Sequence, residues 1–254
     1  MQGRLKTLEG LVISERDSGE TGKSVTLLTR ELGCIDVYVR GGRKSNKSVS
    51  STQLFCYAVF SLEEKRGADN TTRYYYNSSE PIQLFYNIRL DAKRMALACY
   101  FAELLLFAAE SSENADEVMR LTLNTLHFLN KGDRSELLLK SIFELRLLCE
   151  TGFRPNLIGC CHCYRPEDDE MHFNLRSGNL ECHDCVTSDD AMYDYIFDKT
   201  MLHIVRFIAL VEYERLFNFK ISEKYQKQLS AFTEDFAQYH YGKKFQKLRF
   251  YKML

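Results

Sequence analysis

The chain has 254 residues, 45% hydrophobic and 27% charged, which suits one or two globular domains and excludes wholesale disorder. Its 34 basic and 35 acidic residues nearly cancel, so nucleic acid cannot be bound through overall charge and any such binding needs local patches. An opening segment, MQGRLKTLEG, without an apolar stretch, no apolar run near ~18 residues, and nine cysteines exclude a membrane span and point to a reducing compartment, where metal binding is favoured over disulfides.

Residues 1 to about 80 read as strands: Leu8–Arg16, Ser24–Arg30, Cys34–Arg40, Thr52–Glu63 and Thr71–Asn77 are short and rich in β-branched or aromatic residues. In the third, Ile35, Val37 and Val39 alternate with Asp36, Tyr38 and Arg40, a period of two with one buried face. In the fourth, Leu54, Cys56, Ala58 and Phe60 are expected to face inward, with Phe55 and Tyr57 on the other side. Ser18-Gly19, Gly33, Gly41-Gly42 and Gly67 suit the turns between them. Five such strands imply a small antiparallel barrel or sandwich. The segment Gly19-Glu20-Thr21-Gly22-Lys23-Ser24 has the composition of a phosphate-binding loop but not its spacing, because Asp17 stands where the first glycine is needed; it reads as a turn.

Arg40, Arg43, Lys44 and Lys47 place four positive charges within eight residues, among glycines, serines and an asparagine that let backbone approach phosphates. Tyr38 precedes them and can stack a base; with tryptophan absent, stacking falls to Tyr, Phe, His or Arg. The plain alternative is a solvated loop.

Pro81 separates this region from one of helical period. Asp91–Glu110 carries Leu97, Phe101, Leu104, Leu105 and Ala108 on one broad face. Asn114–Asn130 has an asparagine cap with Asp116 and Glu117 in its first turn. Asp133–Thr151 begins with Asp133 three residues before Glu136, as in a capping box, and Gly152 stands past its end. Ser188 is placed to cap a helix from Asp189 to about Phe217, and a last helix covers Ser222–Tyr239. His127 and His203 lie within helical runs, where packed or surface roles outnumber catalytic ones. No Ser/His/Asp set or carboxylate pair has a catalytic context, so no catalytic residue is assigned.

Between Pro155 and the later helices lies the strongest chemical signal. Cys160 and Cys163 form one C-x2-C, and Cys182 and Cys185 form another after 18 intervening residues, a zinc-ribbon spacing. Gly178 and Asn179 suit a hairpin turn between the knuckles. Four thiolates close the coordination shell, so one structural Zn2+ is expected. Cys160 is preferred over Cys161 because it alone gives the two-residue spacing to Cys163, though Cys161, His162, His172 and His183 stand near enough to compete as ligands. The acidic stretch Glu167–Glu170 beside the knuckle argues against its gripping DNA phosphates. Near the C-terminus, Lys243, Lys244, Lys247, Arg249 and Lys252 alternate with Tyr241, Phe245, Phe250 and Tyr251 as a second basic cluster.

Together these features resemble the bacterial recombination mediator RecO family along nearly the whole chain. Gly10-Leu11-Val12-Ile13, Leu27-Leu28-Thr29-Arg30-Glu31-Leu32-Gly33 and Val39-Arg40-Gly41-Gly42-Arg43-Lys44 match its first strands. Leu145-Arg146-Leu147-Leu148, then Gly152-Phe153-Arg154-Pro155-Asn156-Leu157 and the first C-x2-C match its middle. The resemblance implies an α+β multidomain chain: an N-terminal five-stranded OB-fold β-barrel over 1–80 that binds DNA, and an α-helical domain over 81–254 containing a zinc-binding insert at 155–187. It implies a non-enzymatic DNA-repair and recombination protein that binds single- and double-stranded DNA, anneals complementary strands, contacts RecR and the C-terminal tail of SSB, and so serves RecA loading. It would work without a membrane, in the bacterial cytoplasm near the nucleoid. On that basis Arg40, Arg43, Lys44 and Lys47 are the expected phosphate contacts, with Tyr38 and Lys23 beside them. The alternatives are a zinc-containing adaptor that binds only protein, and a small hydrolase with an unrecognised site.

Overall fold

The computed structural model describes residues 4–20, 22–40, 51–67, 70–108, 114–186 and 195–254. Contacts divide the chain into two compact units. The first comprises Met1–Lys131 with Lys247–Leu254, and the second Gly132–Gln246. This division cuts the chain elsewhere than the change of period near Pro81.

In the first unit, five strands close into a barrel in the order β1-β2-β3-β5-β4: β1 (Arg4–Ser18), β2 (Gly22–Thr29), β3 (Gly33–Val39), β4 (Tyr57–Arg66) and β5 (Thr72–Gln83). All ladders are antiparallel except β3 with β5, which pair in parallel at Val37–Tyr74 and Tyr38–Tyr75. Closure leaves no sandwich and few free edges. Alternation fills the interior with Leu8, Val12, Val25, Leu27, Val37, Val39, Ala58, Phe60 and Leu62. Gly19 and Gly33 take left-handed φ angles of 64° and 63° in the two tight connections.

Three expectations for this unit need correction. β4 begins at Tyr57, not Thr52, and Phe55 adopts φ 62° and is buried while Leu54 is only half-buried. The residues before Tyr57 are a turn, so strand alternation does not govern them. β5 runs through Pro81 rather than ending before it. Beyond Tyr75 that strand pairs only with β4, so Pro81 lies on an edge stretch of the strand, where proline is tolerated. β1 is longer at both ends than expected, with an irregularity between Val12 and Ser14 that bends it around the barrel. A single 3-10 turn (Tyr86–Leu90) then leads into α1 (Ala92–Ala108) and α2 (Ala115–Lys131). Leu97, Phe101, Leu104 and Leu105 of α1 are buried as their spacing requires, whereas Ala108 is half-buried. Residues 109 and 110, at the expected helix end, lie outside the described residues.

The second unit contains α3 (Glu136–Glu150), a sheet in the order β6-β8-β7-β9, and α4 (Lys199–Leu210), α5 (Tyr213–Leu216) and α6 (Glu223–Tyr241); α7 (Gln246–Tyr251) follows. The strands are β6 (Asn156–Cys160), β7 (Met171–Asn174), β8 (Asn179–Cys182) and β9 (Tyr195–Phe197). The cap of α3 is Ser135, whose hydroxyl accepts from the Leu138 N–H at 3.4 Å, not Asp133. The expected helix from Asp189 to Phe217 is instead β9, α4 and α5; Ser188 and Asp189 lie outside the described residues. The cap of α4 is Asp198, whose carboxylate accepts from Met201 N–H at 2.7 Å and from the Tyr225 hydroxyl at 2.9 Å.

The Met201 N–H is the main influence holding the Asp198 carboxyl below its usual pKa, opposed by burial and aided by Tyr225. A carboxyl with a lowered folded pKa stabilises the fold above its unfolded value, near 3.9, and loses that contribution as pH falls through the folded value. Asp198→Ala should therefore cost about 1 kcal/mol at neutral pH. In urea denaturation, the difference from wild type should shrink below about pH 4.

Candidate metal centre and nucleic-acid interface

The metal centre is built by two turns. β6 delivers Cys160 into the first, where Tyr164 N–H donates to the Cys160 carbonyl at 3.0 Å and Cys160 N–H donates to the Arg165 carbonyl at 2.8 Å. Gly159 is required here, because a Cβ would stand 2.6 Å from the Arg165 carbonyl oxygen. β8 delivers Cys182 into the second turn, where Cys185 N–H donates to the Cys182 carbonyl at 3.0 Å. The turn between β7 and β8 contains Gly178 at φ 68°, as the sequence indicates. Arg165 ties the turns together, pairing with Asp168 at 2.6 Å and Asp184 at 2.7 Å. Arg206 of α4 donates to the carbonyls of Leu157, Ile158 and Pro166 flanking the first turn.

The four sulfurs of Cys160, Cys163, Cys182 and Cys185 all lie within 4.8 Å of one another, and those of Cys163 and Cys182 are 3.6 Å apart. Four thiolates about 2.3 Å from a tetrahedral zinc would stand about 3.8 Å apart, so the set fits the ion. Burial disfavours the Cys160 thiolate, but backbone N–H groups of Cys163, Cys182 and His162 aimed at it bring its pKa down to about 6. Cys182 is pushed up by burial and by its thiol neighbour Cys163; Cys185 is pushed up by hydrogen bonding to Cys182 and Cys163. A divalent ion held by the four sulfurs would displace the protons they carry. Cys161 does not join this group; it stands instead with His162 and Glu181. Cys56 and Cys149 are buried in the apolar core, where burial pushes both thiols up to about 11.

On the barrel, Val37 and Val39 point inward, so Tyr38 projects outward from β3 beside its register partner Tyr75 on β5. Their rings meet edge to face at 6.0 Å. The Tyr75 ring also takes the Arg40 guanidinium at 5.3 Å and the Lys65 ammonium at 5.2 Å. A cleft of about 400 Å³ beside them is lined by Ser24, Asp36, Tyr38, Arg73, Tyr74 and Tyr75. Asp36 is held by Arg16 at 3.1 Å and by the Thr26 hydroxyl at 2.6 Å. Nothing in the sequence singles out Tyr75, Lys65 or Arg73; the run Arg73-Tyr74-Tyr75-Tyr76 is the available signal, and only its register with Tyr38 picks out Tyr75. Arg43, Lys44 and Lys47 lie outside the described residues. Lys23 sits on the inward face opposite Val39, its ammonium 2.5 Å from Glu15 and donating to the Thr52 carbonyl at 2.8 Å. In the C-terminal cluster, Phe245 and Tyr251 are buried, Phe250 is exposed, and Lys243 stands over the Phe245 ring at 5.7 Å. Among the described residues, no helix is long and apolar enough to cross a membrane.

Comparison with known proteins bears on the same two halves. Residues 1–85 match the family description "Recombination protein O N terminal", and residues 89–249 match "Recombination protein O C terminal". A DNA repair protein RecO of Acetivibrio thermocellus is 30% identical over 251 residues, covering 98% of this chain and 97% of that protein. Another of Bacillus subtilis is 29% identical over 239 residues, covering 94% and 90%, and one of Bacillus pumilus 35% over 182 residues, covering 71% and 68%. With both halves matched and full-length relatives this similar, the chain belongs to the RecO family of DNA repair proteins.

Proposed function

We propose that this chain acts in DNA repair and recombination without enzymatic chemistry. In this reading the barrel, an OB-fold over residues 1–80 whose last strand runs on to Gln83, binds single- and double-stranded DNA with little sequence preference. The observation that carries it is the outward pair Tyr38–Tyr75 with Arg40 and Lys65 on the Tyr75 face: two aromatic rings and two cations on one barrel surface, at the start of the basic loop. Arg40, Arg43, Lys44 and Lys47 contact phosphates, while Tyr38 and Tyr75 stack bases. Lys23 is left out of this contact set because its ammonium is already engaged. A surface that screens phosphate repulsion and leaves base edges accessible lets complementary strands anneal with no catalytic group. The relatives' name, DNA repair protein, supports this role. The helical region over 81–254, with its insert at 155–187 carrying one structural Zn2+, serves protein partners: RecR, the C-terminal tail of SSB and, through them, RecA. The setting is the bacterial cytoplasm, near the nucleoid.

Stacking on an aromatic contributes about 1–3 kcal/mol per base and does not depend on counterion release. Tyr75→Ala should weaken single-stranded DNA binding by roughly tenfold or more at every salt concentration, with the salt slope nearly unchanged. Fluorescence anisotropy with labelled oligonucleotides reads both quantities. Unchanged affinity would remove Tyr75 from the interface.

A further inference from the structure

Beyond the four cysteines, the knuckle region gathers a second set of metal-binding side chains. Register pairs Met171 with Cys182 and His172 with Glu181, so Glu170 stands opposite His183. Cross-strand partners share a face and neighbours alternate. Met171, Phe173, Leu180 and Cys182 therefore form the buried face, packed through Phe173 against Phe232 of α6 at 5.1 Å. Glu170, His172, Glu181 and His183 form the other face, on which Glu170 and His183 are exposed while His172 is largely buried, its Nε2 shielded from solvent.

There, Glu170, His172 and His183 each bring one ligand atom within 4.8 Å of the other two. The two imidazole rings are 6.4 Å apart and inclined by 34°. The acids preceding Glu170 are already paired, Asp168 with Arg165 at 2.6 Å and Asp169 with Lys199 at 2.8 Å, whereas Glu170 has no ion pair among the described residues. The adjacent set, Cys161, His162 and Glu181, meets the same distance limit, but its carboxylate already faces His162 at 3.4 Å. Two borderline imidazoles beside one hard carboxylate suit zinc and its first-row neighbours, whereas magnesium and calcium want mostly oxygen ligands. Each imidazole can give one nitrogen to a metal and keep a hydrogen bond at the other.

We propose that Glu170, His172 and His183 form a second, open site for a divalent first-row transition ion, on the other face of the hairpin that carries Cys182 to the first. Three protein ligands leave a coordination position for water or for a donor from another molecule. The site shares no ligand with the four-cysteine group.

The test is equilibrium dialysis of the full chain, purified with its cysteine-bound zinc, against micromolar Zn2+, with bound metal counted by mass spectrometry. The wild type should hold two equivalents. His172→Ala with His183→Ala should hold one, and Glu170→Gln, an exposed conservative change, should weaken the second equivalent by about tenfold or more without touching the first. Cys161→Ser should retain both. Co2+ added to the zinc-loaded chain should give weak visible bands without new thiolate-to-cobalt absorption. One equivalent in the wild type, two in the histidine variant, loss of the second in Cys161→Ser, or new thiolate absorption would each overturn the assignment.

Discussion

If the four-cysteine group holds zinc as proposed, Cys182→Ser should abolish that binding and lower the melting temperature of the protein by roughly 10 °C or more. Cys182 is fully buried at the end of β8, so its sulfur anchors the metal group to the buried face of the hairpin. Zinc bound only by the folded chain contributes its binding free energy to folding, about 10–16 kcal/mol in isolated zinc-finger peptides. Here the hairpin also rests on Phe232 and Phe236 through Phe173, at 5.1 and 5.6 Å, so the loss should be several kcal/mol rather than the whole amount. Chelation of the wild type should shift the melt in the same direction, and added Zn2+ should restore it. Metal analysis and a thermal melt on the same samples check the expectation. Full zinc loading in a Cys160→Ser, Cys182→Ser double variant would contradict the four-cysteine assignment.

Lys140→Met should cost about 3–5 kcal/mol, an effect comparable in size but of different origin. The Lys140 side chain is 1% exposed and its ammonium lies 3.0 Å from Glu144, itself fully buried, and 3.2 Å from Glu234. It also donates to the Ser230 carbonyl and hydroxyl at 3.3 and 3.1 Å, while Thr233 donates to Glu144 at 2.6 Å. These contacts join α3 to α6. Removing the cation leaves a buried carboxylate without its counter-charge, and that uncompensated charge carries most of the cost. Pairing Lys140→Met with Glu144→Gln should therefore be less destabilising than Lys140→Met alone. Guanidinium denaturation of the three proteins gives the comparison, and an additive double variant would show that the two groups do not interact.

The sequence and the structure agree where a residue's role is set by local period or by fixed spacing. Val37 and Val39 alternate with Tyr38, and both valines are buried. Cys160, Cys163, Cys182 and Cys185 converge because each C-x2-C turn is local and only one hairpin has to join them. Disagreement arises where tertiary partners decide. Pro81 looks like a boundary until β5 is seen to pair on one side only there. Tyr195–Phe197 is too short to show a period, so the sequence extends the neighbouring helix across it. Ser135 displaces Asp133 as a cap by two residues, although the capping-box pattern favours Asp133, which Glu136 follows by three, over Ser135, which Leu138 follows by three. Lys140 and Glu144 have the i, i+4 spacing of an exposed helix pair, and nothing local marks them as buried. Tyr75 is one of three consecutive tyrosines, and only its register with Tyr38 singles it out.

The most direct test of DNA binding by the barrel is the affinity for a single-stranded oligonucleotide across a salt series, measured for the wild type and for Arg43→Ala with Lys44→Ala. Each phosphate contact on a single strand contributes about 0.7 to the slope of log affinity against log salt. If both residues contact phosphate, the double variant should bind every sequence more weakly, with a slope reduced by roughly 1.4, and anneal complementary strands more slowly. Its zinc content and melting temperature should match the wild type. Unchanged affinity and slope would contradict phosphate binding by this loop and move the search to Lys243, Lys244, Lys247, Arg249 and Lys252; a wild type with no salt-dependent DNA binding would contradict the function itself and leave the protein-only adaptor.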